Sequence, residues 1–125
     1  MIIQRTATYP GMRAGILCSG TCSASSGVAT ITVKGKDYSS KITGISLIPL
    51  VNSTTVGHIT HVVSIAYSAV TKLTTITIHV FSLTTGTVYT ALGSPSIPVH
   101  YSFWLETNTL PSDTSTNDTT KQEYA

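Results

Sequence analysis

The two cysteines of the chain, Cys18 and Cys22, are the residues best suited to metal binding or redox chemistry, and they flank the short stretch SGT. A zinc site commonly uses two close pairs of ligands, and the sequence has no second cysteine pair. A thioredoxin-type motif needs two intervening residues at a helix start, and here there are three and no helix signal. The spacing predicts a tight hairpin with Gly20 in its turn. The cysteines would then face each other on adjacent strands, and free thiols are favoured over a disulfide in a cytosolic protein.

The histidines do not supply the missing ligands. His58 and His61 are three residues apart, so strand alternation sends them to opposite faces. Only His79 and His100 remain as a pair that could meet across strands, and a zinc site is not expected. His61 lies on a predicted apolar face, where a partly buried, hydrogen-bonded histidine is expected. The sequence therefore predicts neither a metal nor another cofactor.

Catalytic motifs are equally scarce. The sequence contains no Gly-x-Ser-x-Gly, no Gly-rich phosphate loop and no His-Glu-x-x-His. Only Asp37 and Glu106 are acidic within the predicted body, and Asp37 sits in a turn sequence, KGKDYSSK, where an aspartate most often caps the turn. The expectation is a protein that is not an enzyme.

The composition indicates a β-protein. Charged residues make up 10% of the chain, hydrophobic residues 41%, and the polar remainder is dominated by 23 Thr and 16 Ser. Threonine is β-branched and suits a pleated sheet. A net charge of +2 gives no electrostatic footprint for nucleic acid. No segment has the charge and apolar pattern of a secretory signal or a membrane span, so we expect no membrane partner and assembly in the cytosol.

Strict alternation of apolar and polar residues predicts most of the strands. No segment has helical periodicity, and the predicted fold is all-β: a single antiparallel β-sandwich, Ig-like or jelly-roll-like. Residues 1–27 are expected to form an extended N-terminal segment with the hairpin, 28–106 the body, and 107–125 a polar tail or arm. The predicted strands cover residues 28–34, 43–50, 58–68, 72–83, 86–92 and 95–106.

Aromatic residues near the end of the body are the candidates for an interface. Tyr101 shares a predicted inward face with Phe103, whereas Trp104 points the other way. An outward tryptophan marks a subunit contact or a carbohydrate-stacking platform, unless it packs beneath the tail or a loop. Leu110 and Tyr124 are the tail residues with apolar area to bury. The candidate interface residues are Trp104, Tyr101, Leu110 and Tyr124.

The stretches KITGISLIPLVNSTTVGHITHVVSIAYSAV and SIPVHYSFWLE, with their Thr/Ser/Val-rich alternation and few charges, resemble small all-β structural proteins of tailed bacteriophages. That resemblance implies a non-enzymatic virion protein, foremost a capsid decoration (cement) protein that stabilises the head surface. It implies a homo-oligomer bound to the major capsid or other virion proteins, located in the virion. The alternative is a carbohydrate- or receptor-binding β-sandwich module of a phage fibre or tail.

Overall fold

The computed structural model of the protein describes residues 1–5, 15–50, 57–83, 89–91, 97–107, 112–113 and 123–124. All the regular elements within those residues are β-strands, which confirms the all-β prediction. The strands in chain order are β1 (Ile2–Arg5), β2 (Ile16–Ala24), β3 (Val28–Lys34), β4 (Ile42–Pro49), β5 (Gly57–Ser68), β6 (Leu73–Leu83), β7 (Tyr89–Ala91), β8 (Ile97–Leu105), β9 (Ser112–Asp113) and β10 (Glu123–Tyr124).

The strands form two sheets. Sheet 1 has the order β10-β1-β2-β8-β4, and sheet 2 has the order β5-β6-β3-β9, with β7 paired to the end of β6. The long strands at the centre of each sheet, β2-β8-β4 and β5-β6-β3, are antiparallel to their neighbours. The short β1 and β10 pair in parallel. Two points of the predicted C-terminal tail are therefore paired: β9 with β3 of the predicted body, and β10 with β1 of the predicted N-terminal segment.

The chain passes from one sheet to the other through a tight turn between β2 and β3. Ser25 and Val28 exchange two backbone hydrogen bonds, of 3.0 and 3.1 Å. Ser26 and Gly27 between them have φ angles of 51° and 79°. Glycine adopts positive φ without steric cost, which suits it to this position. This turn therefore joins strands that belong to different sheets.

Period-two alternation builds the core from the inner faces of both sheets. In β6 the fully buried apolar side chains are Ile76, Ile78 and Val80, as their spacing predicts. Alternate side chains of β3 and β8 are buried in the same way. One cluster contains the buried apolar residues of both sheets and of the β3–β4 loop: Met1, Ile16, Cys18, Cys22, Ala24, Ala29, Ile31, Val33, Tyr38, Ile42, Ile76, Ile78, Val80, Val99, Tyr101, Phe103 and Leu105.

The hairpin predicted at CSGTC is wrong, because these residues lie in the middle of β2. The strand pairs with β8 over nine successive positions, with Cys18 opposite Phe103, Gly20 opposite Tyr101 and Cys22 opposite Val99. The rings of Tyr101 and Phe103 stack with their centroids 6.1 Å apart and their planes at 19°. Small residues on β2 thus lie across from large residues on β8, and this complementary volume is what close packing requires.

Both cysteines are buried, and neither forms a disulfide. Four residues of extended strand separate their Cα atoms by about 13 Å, since each residue advances about 3.3 Å. A disulfide requires Cα atoms within about 7 Å. The favoured reading of free thiols is confirmed, although for a different reason from the one given by the sequence: the cysteines occupy one face of a single strand.

Tyr38, in the loop between β3 and β4, is anchored by a buried threonine. Its side chain is 2% exposed and belongs to the core cluster. The Oγ1 atom of Thr74 accepts a hydrogen bond from the backbone N–H of Tyr38, at 3.0 Å, and donates one to the carbonyl of Lys36, at 3.2 Å. Thr74 is itself fully buried on β6. One hydroxyl therefore satisfies two backbone groups and ties the loop to sheet 2.

Replacing Thr74 with valine tests this anchor. The valine keeps the shape but leaves the Tyr38 N–H and the Lys36 carbonyl without their partner, so we expect a loss of about 1–3 kcal/mol in the free energy of unfolding. Urea titration of Thr74→Val measures the loss. Thr75→Val, at a half-buried position next in the strand, is the matched control and should change stability by less than about 0.5 kcal/mol. Equal effects of the two variants would contradict the anchoring role.

Burial raises the pKa of the Tyr38 phenol, and the nearby Cys18 adds to the shift. Because the pKa of Tyr38 is higher in the folded state than in the unfolded state, the neutral phenol contributes to the free energy of unfolding. This contribution is complete below the unfolded tyrosine pKa, about 10, and is lost as the pH rises through the folded pKa. We expect Tyr38→Phe to unfold with a flatter dependence on pH above about pH 10 than the native protein. Denaturant titrations across that range test this, and an unchanged slope would contradict it.

Candidate functional site

The outer face of sheet 2 carries the most distinctive group of surface side chains among the described residues. Ile59 and His61 on β5 lie opposite Phe81 and His79 on β6, respectively. We call these four residues the His–Phe patch. Ile59 is 44% exposed, and the His61 side chain is also exposed. Apolar and imidazole groups thus reach solvent together at the edge of the sheet.

A β-bulge in β5 places His61 on this outer face. The register shifts between Val62 and Ser64, so Val63 is the extra residue in the strand. Before the bulge the odd-numbered residues face outward; after it, Ile65 packs against the core. The expectation that His61 is partly buried is therefore wrong, because alternation through residues 58–68 is interrupted once and His61 faces solvent.

Contacts within the His–Phe patch hold some of its rings in place. The imidazole of His79 meets the ring of Phe81 edge to face, with centroids 5.8 Å apart and planes at 74°. Aromatic pairs favour this geometry because the positive edge of one ring meets the negative face of the other. A shallow, open depression of about 430 Å³ is lined by Ile59, Thr60, His61 and Phe81. The patch is therefore a broad surface depression rather than an enclosed pocket.

The β5 strand ends sheet 2, and none of the described strands pairs with its outer edge. It has no Asp, Glu, Lys or Arg over its 12 residues. Its contact with sheet 1 includes a hydrogen bond of 3.4 Å from the Thr60 hydroxyl to the carbonyl of Leu47. Val63, at the bulge, is 45% exposed. Natural sheet edges are usually protected by charges, by proline or by a covering segment, and β5 has the bulge as its only such feature within the described residues.

Trp104 lies on the outer face of sheet 1, opposite Leu17 on β2 and Thr43 on β4. This orientation agrees with its predicted outward direction. The indole is half-buried and packs against the backbone of Gly15, where an added Cβ would fall within the indole ring, against Nε1, Cε2 and Cζ2. Part of the indole surface is therefore buried against residues of the same chain.

The other candidate interface residues lie elsewhere. Tyr101 is 3% exposed and stacked on Phe103, so its ring belongs to the core, as its shared face with Phe103 indicated. Leu110 lies outside the described residues. The backbone of Tyr124 pairs with Ile3 through β10. Of the candidate set, Trp104 is the residue whose described side chain is partly accessible at the surface.

The structure does not bring His79 and His100 together, because they lie on different sheets. It does place His61 directly opposite His79, a pairing that depends on strand register and that the sequence analysis did not identify. Among the described residues, no three His, Cys, Asp or Glu side chains come close enough to hold a metal ion together.

Asp37 closes its turn, as predicted. Its Oδ1 atom accepts hydrogen bonds from the hydroxyl of Ser39, at 2.6 Å, and from the Ser39 N–H, at 2.9 Å. These two hydrogen bonds, the hydroxyl first, lower the pKa of the Asp37 carboxyl. Asp and Asn commonly form such a local turn through their side chains. The carboxylate therefore has a structural role in the β3–β4 loop.

The comparisons with known proteins give no relative: no family model, no curated protein and no solved structure matches the chain significantly. The described residues include no helix of the length and apolarity needed to cross a bilayer.

Substitution of Gly15 by alanine tests the position of Trp104. The added methyl must displace the indole, and overpacking of this kind costs about 1–3 kcal/mol in stability. Since Trp104 is the single tryptophan, its fluorescence reports the displacement directly. We expect a red-shifted emission maximum and a lower melting temperature for Gly15→Ala. Emission and stability identical to those of the native protein would show that the indole does not pack on Gly15.

Proposed function

We propose that this protein is a non-enzymatic structural protein that associates with copies of itself through the edge of β5 and the neighbouring His–Phe patch. We also propose the finer architecture expected from the sequence, an antiparallel β-sandwich of Ig-like or jelly-roll type. Two observations support that architecture: one cluster contains buried residues of both sheets, and the chain crosses between the sheets at Ser26 and Gly27.

The proposed association rests on two features of β5: it has no Asp, Glu, Lys or Arg, and none of the described strands pairs with its outer edge. An uncharged strand edge without a described neighbour offers unpaired N–H and C=O groups to another chain. When two identical strands pair antiparallel about a two-fold axis, a charge near the axis lies close to its own copy on the other strand. The β5 strand has no Asp, Glu, Lys or Arg side chain to create that repulsion. A second copy of this chain is therefore the occupant that suits the edge.

The bulge at Val63 limits which part of β5 can pair. A bulge bends the strand and disrupts a regular ladder. Of the two regular segments on either side of it, 57–62 is the one that carries Ile59 and adjoins the depression. A stable interface buries about 800 Å² on each partner, more than a single short strand edge provides. The exposed Ile59 side chain and the adjoining depression supply apolar surface beside that segment. The proposed interface therefore combines backbone pairing at the edge with packing of the His–Phe patch.

The virion assignment is the more specific part of the proposal. It comes from the resemblance of the alternating, Thr-rich stretches to phage decoration proteins, with the major capsid protein or another virion protein as the second partner. Self-association through a strand edge is consistent with a protein that must form an oligomer on a repeating surface. The mechanism would then be mechanical, with apolar and backbone contacts linking neighbouring subunits.

Carbohydrate or receptor binding is the second candidate function, and Trp104 is the observation that favours it. Its indole is only half-buried, so part of a flat aromatic surface is accessible on sheet 1. Aromatic rings of this kind stack on the apolar faces of ligands. Quenching or enhancement of Trp104 fluorescence by a panel of glycans tests this candidate independently of self-association.

A charge placed at the edge of β5 tests the proposed association. Ile59→Lys puts two like charges at the interface and removes an apolar contact, so we expect the dissociation constant of the oligomer to rise about tenfold or more. Size-exclusion chromatography with light scattering over a concentration series measures the change. Circular dichroism checks that the variant keeps its β structure.

Val70→Lys is the control. Val70 is 93% exposed and lies in the turn between β5 and β6, beyond the end of β5 that is opposite to residues 57–62. We expect this variant to associate like the native protein. A native protein that stays monomeric at millimolar concentration, or equal weakening by both lysines, would contradict association through the β5 edge.

A further inference from the structure

We propose that His61 and His79 form a two-imidazole binding site for a divalent transition-metal ion on the outer face of sheet 2. The two residues are direct partners in the antiparallel ladder between β5 and β6. The His61 side chain is exposed and that of His79 is partly exposed. Both ligands come from one chain, so the inference does not rest on the proposed self-association. Because the same patch belongs to the proposed interface, the titrations below are made at a protein concentration at which light scattering shows a monomer.

The spacing of cross-strand partners suits chelation. Directly opposed residues in an antiparallel pair have Cβ atoms about 4.5–5.5 Å apart. Each imidazole nitrogen must approach a metal ion to about 2.0–2.1 Å, so two imidazoles on one face can converge on an ion between their outer ends. Neighbouring strands hold the two backbones at fixed separation. The site therefore needs a side-chain rotation but no movement of the sheet.

The two imidazole rings differ in how far their surroundings restrict their rotation. Phe81 packs edge to face on the imidazole of His79 at a centroid distance of 5.8 Å and so restricts that ring. His61 is exposed, so its ring is free to change rotamer. One ligand is thus positioned in advance, and the second closes on the ion. This arrangement lowers the entropy cost of binding relative to two mobile side chains.

The ligand set selects the class of ion. Imidazole suits Zn²⁺, Ni²⁺ and Cu²⁺, whereas Mg²⁺ and Ca²⁺ prefer oxygen ligands. The described neighbours of the pair, Val28, Ile59 and Phe81, offer no carboxylate. Two protein ligands leave the remaining coordination positions to water, so the site is open at the surface. The His61–His79 pair thus favours ions of the zinc, nickel and copper group.

Calorimetric titration of the untagged protein with Ni²⁺ tests the proposal. We expect one ion per chain for the native protein. Because both imidazoles hold the same ion, His61→Asn and His79→Asn should each bind as weakly as the double variant. His100→Asn is the control, since His100 is an exposed histidine on sheet 1, and it should bind like the native protein. Two independent sites would instead show additive losses, and that result would overturn the proposal.

A second measurement keeps the test decisive if a variant folds poorly. Zn²⁺ is diamagnetic, so the histidine ring signals of the native protein can be followed by NMR during a zinc titration. We expect the signals of His61 and His79 to shift together and to saturate at one ion per chain, while those of His58 and His100 stay in place. Shifts at His58 or His100 alone, or no saturable shift, would overturn the proposal.

Discussion

The ladder between β2 and β8 is the interaction on which the rest of the molecule depends. Its nine residue pairs join residues 16–24 to residues 97–105, two parts of the chain far apart in sequence. Through these two strands, β1 and β4 are attached to sheet 1, and β2 leads directly into β3 of sheet 2. Pairing between distant segments forms slowly because a long loop must close first. The rings of Tyr101 and Phe103 on β8 fit against β2 because the residues opposite them, Gly20 and Cys18, are small.

The predictable part of the fold is the part where apolar residues alternate with polar ones. The strand expected at 28–34 has those bounds in the structure, and the long strands at 58–68 and 72–83 are displaced by a residue at most. The β2 strand was missed because its inward positions hold Cys18, Gly20 and Cys22, which carry a weaker apolar signal than Ile or Val. Cysteine is nevertheless among the most buried residue types, and that signal could have identified the strand.

The candidate site was less predictable than the fold, for two physical reasons. The bulge at Val63 reverses which residues of β5 face outward, and an inserted residue leaves no mark in the apolar pattern. The pairing of His61 with His79 depends on register, which is fixed by the turn between β5 and β6 and by the core rather than by the histidines themselves. The outward direction of Trp104 could be predicted from the alternation of β8. Its packing on Gly15 could not, because the contact depends on how the chain before β2 lies against the indole.

Low charge links the architecture to the proposed function. With 10% charged residues, the chain keeps its outer faces polar largely through hydroxyl groups. Hydroxyl groups do not repel each other as charges do, so uncharged edges and faces can approach a second copy. In β5 this combines with an edge that none of the described strands covers and with an exposed isoleucine. The same absence of charge leaves the imidazoles as the main polar groups of the His–Phe patch.

Hydrogen–deuterium exchange over a range of protein concentrations tests the central claim, self-association through β5, most directly. Amides at a strand edge exchange readily when exposed and slowly when they pair with another chain. We expect the protection of residues 57–62 to rise with protein concentration, while the exchange of amides in the core strands β2 and β8 stays unchanged. Exchange in β5 that is independent of concentration, with an oligomer present, would place the contact elsewhere and contradict the account.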